Sequence, residues 1–138
     1  MEQNIPAVLV ISHGFFCQAL IDSVKMIFGD AQRLEALPLE EGMDPDAYEA
    51  ALRALVEKYD GNVFVCVDIM GGTPFKCMAK LAKTRRLSAV AGVSVPMLIE
   101  VLSDREECAG DELAARVAEN CAGMDTDLTA LMKKLYHM

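Results

Sequence analysis

The chain has 138 residues, 53% of them apolar, and a formal charge of −8 at pH 7. That length and apolar fraction exclude a disordered chain and predict one domain over residues 1–138, with a core that needs no staples. The acidic balance argues against a general nucleic-acid binder and suits a protein partner that presents a basic face.

Five cysteines, Cys17, Cys66, Cys77, Cys108 and Cys121, are odd in number, scattered, and never arranged as CxxC. Reduced thiols in a cytoplasmic protein are therefore expected, in preference to disulfides or a zinc site. The N-terminus lacks a basic region followed by an apolar stretch and a small-residue cleavage site, so no signal peptide is expected. No apolar run approaches the ~20 residues of a membrane span.

Residues 1–6 are expected to be a short lead-in. Ala7 to Ile11 (AVLVI) is a continuous apolar run, the pattern of a strand buried on both faces, and Ser12-His13-Gly14 follows at its end. A helix is predicted from about Phe15 to Phe28, with Phe16, Ala19, Leu20, Ser23, Val24 and Ile27 forming one face and Gly29 closing it. Arg33 to Leu37 reads as a weak strand ended by Pro38. Asp44-Pro45 pairs a capping residue with a proline at the first helical position. The helix it opens should run to about Tyr59, with a stripe of Tyr48, Ala51, Leu52, Leu55, Val56 and Tyr59.

Val63 to Phe75 (VFVCVDIMGGTPF) concentrates the most information. Val63 to Val67 is a second buried-strand run and Asp68 ends it. Gly71 and Gly72 permit a sharp turn or a close backbone approach, and Thr73-Pro74 should cap a helix reaching about Lys83. Leu87 to Ala91 is a fourth strand, followed by GVSVP and a short helix from Pro96 to Leu102. Asp111 is expected to cap one long C-terminal helix. Its stripe of Leu113, Val117, Cys121, Met124, Leu128, Leu131 and Leu135 is spaced by three or four throughout. Gly123 inside that helix costs about 1 kcal/mol relative to alanine without breaking it.

The order βαβαβαβα predicts an α/β fold: a doubly wound, mainly parallel four-stranded sheet with helices on both faces and a long C-terminal helix. In strand order 2-1-3-4 the direction of winding reverses between strands 1 and 3, where such sheets collect their ligands. His13 follows strand 1 and Asp68 ends strand 3, so both fall in that crevice. A lone histidine is more often structural than catalytic, but this position favours function. A carboxylate accepting from Nδ1 would leave Nε2 as a free lone pair, suited to a general base or a nucleophile.

Other chemistries lack their residues. There is no G-x-S-x-G elbow, no P-loop, no third metal ligand at a suitable spacing, and no acidic cluster after strand 1. A histidine that holds a small anion remains, and histidine phosphorylation fits it.

VLVISHG at Val8 to Gly14, Asp68 with GGTPF at Gly71 to Phe75, and GVSVPM at Gly92 to Met97 together resemble the mannose-type enzyme IIA of the phosphoenolpyruvate-dependent sugar phosphotransferase system. The resemblance covers about residues 7–102. It implies a phosphorylatable histidine at His13, an orienting aspartate at Asp68, and a surrounding shell matched by Gly71, Gly72, Thr73 and Pro74; Ser12 and Ser94 join Gly71, Gly72 and Thr73 as candidate phosphoryl-binding residues. It also implies a phosphorylated histidine carrier protein as donor, a IIB protein as acceptor, membrane IIC and IID components reached through IIB, and a homodimer. No cofactor and no metal are expected. The chain departs from the family's frequent asparagines at Lys76 and Ser94, which bears on sugar class and partner choice. Since it stops at Met138, IIB is expected to be a separate polypeptide.

Structural readings stand beside these. Asp68 could simply cap its own turn, and Thr73 is expected to be a helix cap before it is a phosphate contact. Phe15, Phe16, Met70 and Phe75 suit either core packing or an apolar collar for a docking partner, and Met124 and Met132 suit core or interface filling. The rival functions are a regulatory phosphoacceptor without onward transfer and a small-molecule binder using the same crevice.

Overall fold

The two central strands form where the apolar runs are continuous, and their alternating residues feed two separate cores. In the computed structural model, which describes residues 5–137, the elements follow as β1 (Ala7–His13), α1 (Phe16–Phe28), β2 (Leu34–Leu39), α2 (Pro45–Lys58), β3 (Val63–Val67), α3 (Thr73–Leu81), β4 (Ser88–Ala91), α4 (Val95–Asp104), α5 (Gly110–Cys121) and α6 (Leu128–Tyr136). Most of the lead-in expected over residues 1–6 lies outside the described residues. The sheet is parallel in the order β2-β1-β3-β4, as the sequence predicts.

Val8 and Val10 of β1, with Phe64 and Cys66 of β3, pack against buried residues of α1, α4 and α5. Ala7, Leu9 and Ile11, with Val63, Val65 and Val67, pack against α2 and α3. A strand covered on both faces must be apolar at every position, which is why these runs do not alternate. Four of the five thiols are buried. Burial pushes the Cys66 thiol up to about 12, so it behaves as a small apolar group. Among the described residues no helix is long and apolar enough to cross a membrane.

Several sequence expectations need correction. Pro38 does not end β2, which continues to Leu39. Odd-numbered residues of this edge strand face β1, with the Val8 N–H donating to Arg33 O and the Gly14 N–H to Leu39 O. Pro38 therefore costs no ladder bond. On α1 the buried residues are Cys17, Leu20, Ile21 and Val24, whereas Phe16 and Ile27 are exposed. Thr73 is the first residue of α3, not its cap; Gly72 is. Asp111 lies in the first turn of α5, where it accepts from Arg86 and Ser88.

The C-terminal helix is present but broken. α5 stops at Cys121, Ala122 turns extended, and Gly123 adopts φ +78°. Asp127 then caps α6 by accepting the Ala130 N–H at 3.0 Å. Gly123 thus acts as a helix terminator, a use its conformational freedom favours over an interior position.

One buried cation ties the lower end of the sheet together. Arg105, just after α4 and 8% exposed, donates to the carbonyls of Pro6 (3.2 Å), Arg33 (2.9 Å) and Gln32 (2.6 Å). It joins the start of β1, the approach to β2 and the end of α4 in one knot. Arg105→Met keeps most of the stem but leaves three inward carbonyls without this partner. It should lower unfolding free energy by about 2–4 kcal/mol. Urea unfolding checks this, and a change within error would mean the carbonyls find other donors.

Candidate functional site

The β1–β3 register decides which residues meet at the top of the sheet. Ile11 pairs with Val67, so the next residues of the two strands emerge side by side. The Asp68 N–H still donates to Ile11 O at 3.1 Å, which ties the carboxylate-bearing residue to β1. Asp68 Oδ2 then accepts twice from the same residue: the His13 backbone N–H at 2.9 Å and ring Nδ1 at 2.8 Å. Its other oxygen accepts the Ile69 N–H at 2.8 Å. The capping alternative and the pairing alternative are both realised, one on each oxygen.

Burial alone would raise the Asp68 pKa. The hydrogen bonds from the His13 backbone, the His13 ring and the Ile69 backbone outweigh it and hold the carboxyl below its ordinary value. Asp68 is thus ionised at neutral pH. A carboxylate can only accept, so Nδ1 must carry the shared proton and Nε2 is the ring's free lone pair. The stability this pairing adds is present above the ordinary carboxylate pKa and is lost as pH falls through the lowered folded value.

Gly72 stands against the other side of the ring. A β-carbon there would lie 2.4 Å from His13 Cε1 and 2.8 Å from Nε2. The backbone at the start of α3 therefore approaches the reactive edge of the imidazole closely, and a side chain would push the ring away. Gly72 has φ −84°, so its requirement is for space and not for unusual backbone geometry. Gly71, at φ +98°, supplies the turn before it.

The remaining candidates are distributed differently. Ser12 is fully buried, and its hydroxyl is engaged within the turn. Its bonding capacity is therefore taken up by the backbone of its own turn. Ser94 is the N-cap of α4, its hydroxyl accepting the Met97 N–H at 3.3 Å, beside the β3 end where the Val93 N–H bonds Val67 O. Thr73 and Lys76 line a neighbouring groove between α2 and α3 with Asp46 and Glu49. Phe75 packs on the α2/α3 core, whereas Phe15, Phe16 and Met70 are exposed. Ile69, also exposed, was not singled out from sequence. Nor was Tyr48 assigned a polar role, although its buried phenol donates to Leu37 O at 2.6 Å on the β2 side of the crevice. Among the described residues no group of three or more His, Cys, Asp or Glu could hold a metal ion.

Fold and geometry define an open α/β protein with a carboxylate-held imidazole at the switch point of its sheet. Residues 7–118 match the family EIIA-man, described as PTS system fructose IIA component. The fructose-specific EIIA component of Bacillus subtilis is 38% identical over 112 residues, covering 78% of this chain and 75% of that protein. The mannose-specific EIIAB component of Escherichia coli K12 is 26% identical over 82% of this chain, which spans only 36% of that longer protein. Among solved structures, a mannose/sorbose-specific IIA subunit from Enterococcus faecalis superposes with a TM-score of 0.78 at 25% identity, covering 88% of this chain and 95% of that one. A phosphotransferase system EIIA component from Streptococcus agalactiae gives 0.82 at 22% identity, over 89% and 97%, and attests the fold. The chain belongs to the mannose-type enzyme IIA family of the sugar phosphotransferase system.

Gly72→Ala isolates the close approach. The variant should fold, since no backbone strain is created, yet displace the ring from its Asp68 contact. The His13 ring resonances should shift, and phosphoryl uptake should fall about 100-fold, the scale expected for an ångström of misplacement. Unchanged spectra and uptake would mean that the turn yields instead of the ring.

Proposed function

We propose that His13 Nε2 accepts a phosphoryl group from a phosphorylated histidine carrier protein and passes it to a separate IIB protein in the cytoplasm. Membrane IIC and IID components are then reached only through IIB. The observation that carries this reading is the double acceptance at Asp68 Oδ2, which fixes Nδ1 as donor and leaves Nε2 as nucleophile. The His13 side chain is 49% exposed, enough for a partner to reach its outer edge.

In the forward step the Nε2 lone pair attacks phosphorus as the donor's P–N bond breaks. The donor imidazole leaves with that electron pair and is protonated from solvent. His13 loses no proton. Its ring becomes a phosphorylated imidazolium whose charge is spread toward Nδ1, and the Asp68 carboxylate offsets that charge. Onward transfer reverses the roles, and the acceptor on IIB breaks the bond at Nε2. Such chemistry needs little covalent help, so alignment and charge placement supply the acceleration.

Phe15, Phe16, Ile69 and Met70 are exposed on the segments flanking His13 and Asp68. We assign them to the collar against which donor and acceptor dock in turn. Relatives are named for fructose, mannose and sorbose. A IIA component handles only the phosphoryl group, so the choice of sugar would rest with its partners.

A homodimer is part of the proposal. α6 exposes Leu128, Leu131, Met132, Leu135 and Tyr136 and buries none of its residues. A nine-residue helix is shorter than the ~12–15 residues that are even marginally stable alone, so its apolar stripe needs a partner. Lys133 and Lys134, with no carboxylate between Leu128 and Tyr136, suit an acidic second copy of a chain whose formal charge is −8.

Incubation with phosphoenolpyruvate, enzyme I and the histidine carrier should place acid-labile, base-stable label on His13. Label surviving His13→Ala would reject the assignment. Asp68→Asn should fold normally yet slow transfer by roughly one to three orders of magnitude, about 1.4 to 4 kcal/mol of barrier. Wild-type rates in that variant with a much lower melting temperature would reduce Asp68 to a cap. Label that is never passed to IIB would favour the regulatory alternative.

Light scattering at micromolar concentration should give the mass of two chains. Removal of residues 128–138 should give one. A monomeric mass for the intact chain would count against the homodimer.

A further inference from the structure

Ser12 is the first polar residue after the apolar run of β1, yet it is 0% exposed. A hydroxyl at such a position is costly unless its bonding capacity is used. Here both roles are filled. Ser12 Oγ donates to Gly14 O at 3.0 Å and accepts the Cys17 N–H at 2.9 Å. These bonds span the whole passage from β1 into α1, with His13 inside it.

Two further contacts make the passage a defined turn. Gly14 sits at φ +58°, and its N–H donates to Leu39 O at 2.7 Å, which pins the turn to β2. The N-cap of α1 is Phe15, whose side chain cannot accept a hydrogen bond. Ser12 takes over that task from three residues upstream by accepting from Cys17, the second residue of the helix. One hydroxyl therefore couples the end of β1, the His13 backbone and the start of α1.

From this geometry we infer that Ser12 is a positioning residue for His13: its hydroxyl holds the 12–17 turn so that the His13 N–H and Nδ1 converge on one oxygen of Asp68. The inference rests on the phosphocarrier reading for its kinetic consequence, but not for its structural one. Ser12 acts through backbone atoms, because its only polar side-chain atom is buried and occupied by Gly14 O and the Cys17 N–H. Without the hydroxyl, Gly14 O and Cys17 N–H lose their shared partner and the turn gains freedom. His13 would then sample orientations in which Nδ1 leaves Oδ2. Donor docking would be untouched, since the exposed collar is not altered. The loss would fall on the rate at saturation.

The test compares Ser12→Ala, Ser12→Thr and Ser12→Val in the full chain. Threonine and valine have nearly the same shape, suit a strand, and differ in the hydroxyl. For each variant we would measure transfer from the phosphorylated carrier across donor concentrations. The nitrogen-15 spectrum of the His13 ring, which reports the tautomer, would be recorded alongside. Ser12→Ala and Ser12→Val should lower the saturating rate by about 10- to 100-fold, the scale of sub-ångström to ångström misplacement. The donor concentration for half-saturation should stay unchanged, and the tautomer signal should shift from Nδ1–H toward a mixture. Ser12→Thr should restore both readouts to near wild type.

Wild-type rates and spectra in folded Ser12→Ala would overturn the inference, as would identical His13 spectra in the threonine and valine variants. Should Ser12→Ala fail to fold, the threonine–valine comparison decides alone. The spectra also separate the two proposals. A wild-type chain that never accepts phosphoryl, but whose tautomer depends on the Ser12 hydroxyl, would defeat the phosphocarrier reading and leave the positioning role standing.

Discussion

Asp68 Oδ2 accepts both the backbone and the ring N–H of His13, and that convergence depends on how β1 and β3 are aligned. Side chains alternate along a strand, so a slip of one residue would carry every core residue to the opposite face. Leu9, Ile11, Val65 and Val67 on the α2/α3 side, and Val8, Val10, Phe64 and Cys66 on the other, are all buried to within 1%. Both cores therefore resist a slip. Packing well below the crevice thus sets a hydrogen-bond geometry at its mouth, and the site inherits its rigidity from residues that carry no chemistry.

The central strands and the two polar residues at their ends were legible because burial on both faces leaves an unbroken apolar run with an abrupt stop. Strand order and the His13–Asp68 meeting followed from the alternation of elements and the family motifs. The inner face of α1 was not legible. Between Phe16 and Phe28 apolar residues occupy most of its circumference, so Phe16, Ala19 and Ile27 compete with Cys17 and Ile21 at similar spacing. The Ser12 bond to the Cys17 amide and the turn at Gly14 help set the orientation, and neither leaves a periodic signal. The C-terminal stripe misled for the opposite reason. Its three- and four-residue spacing runs on across a real break, while the deciding signs were Gly123 followed closely by Asp127, a terminator and a new cap.

The roles that sequence reading missed have a common physical origin. Arg105 and Ser12 act on backbone atoms, and Gly72 acts by lacking a side chain. Backbone carbonyls and amides are the same at every position, so no residue type on the far side advertises the partnership. A buried arginine or serine is the available clue, and it becomes informative only when burial is known. The glycine pair was readable as a close approach, but the group approached was not.

Charge gives the last constraint on the site. A chain with a formal charge of −8 repels a phosphoryl dianion at long range, so any favourable field at Nε2 has to be local. Gly72 brings the N-terminus of α3, with its positive dipole end, against that edge of the ring. Asp68 acts on the opposite nitrogen and offsets the imidazolium charge that phosphorylation would create. In the proposed cycle the helix end would favour the anion and the carboxylate the cation beside it.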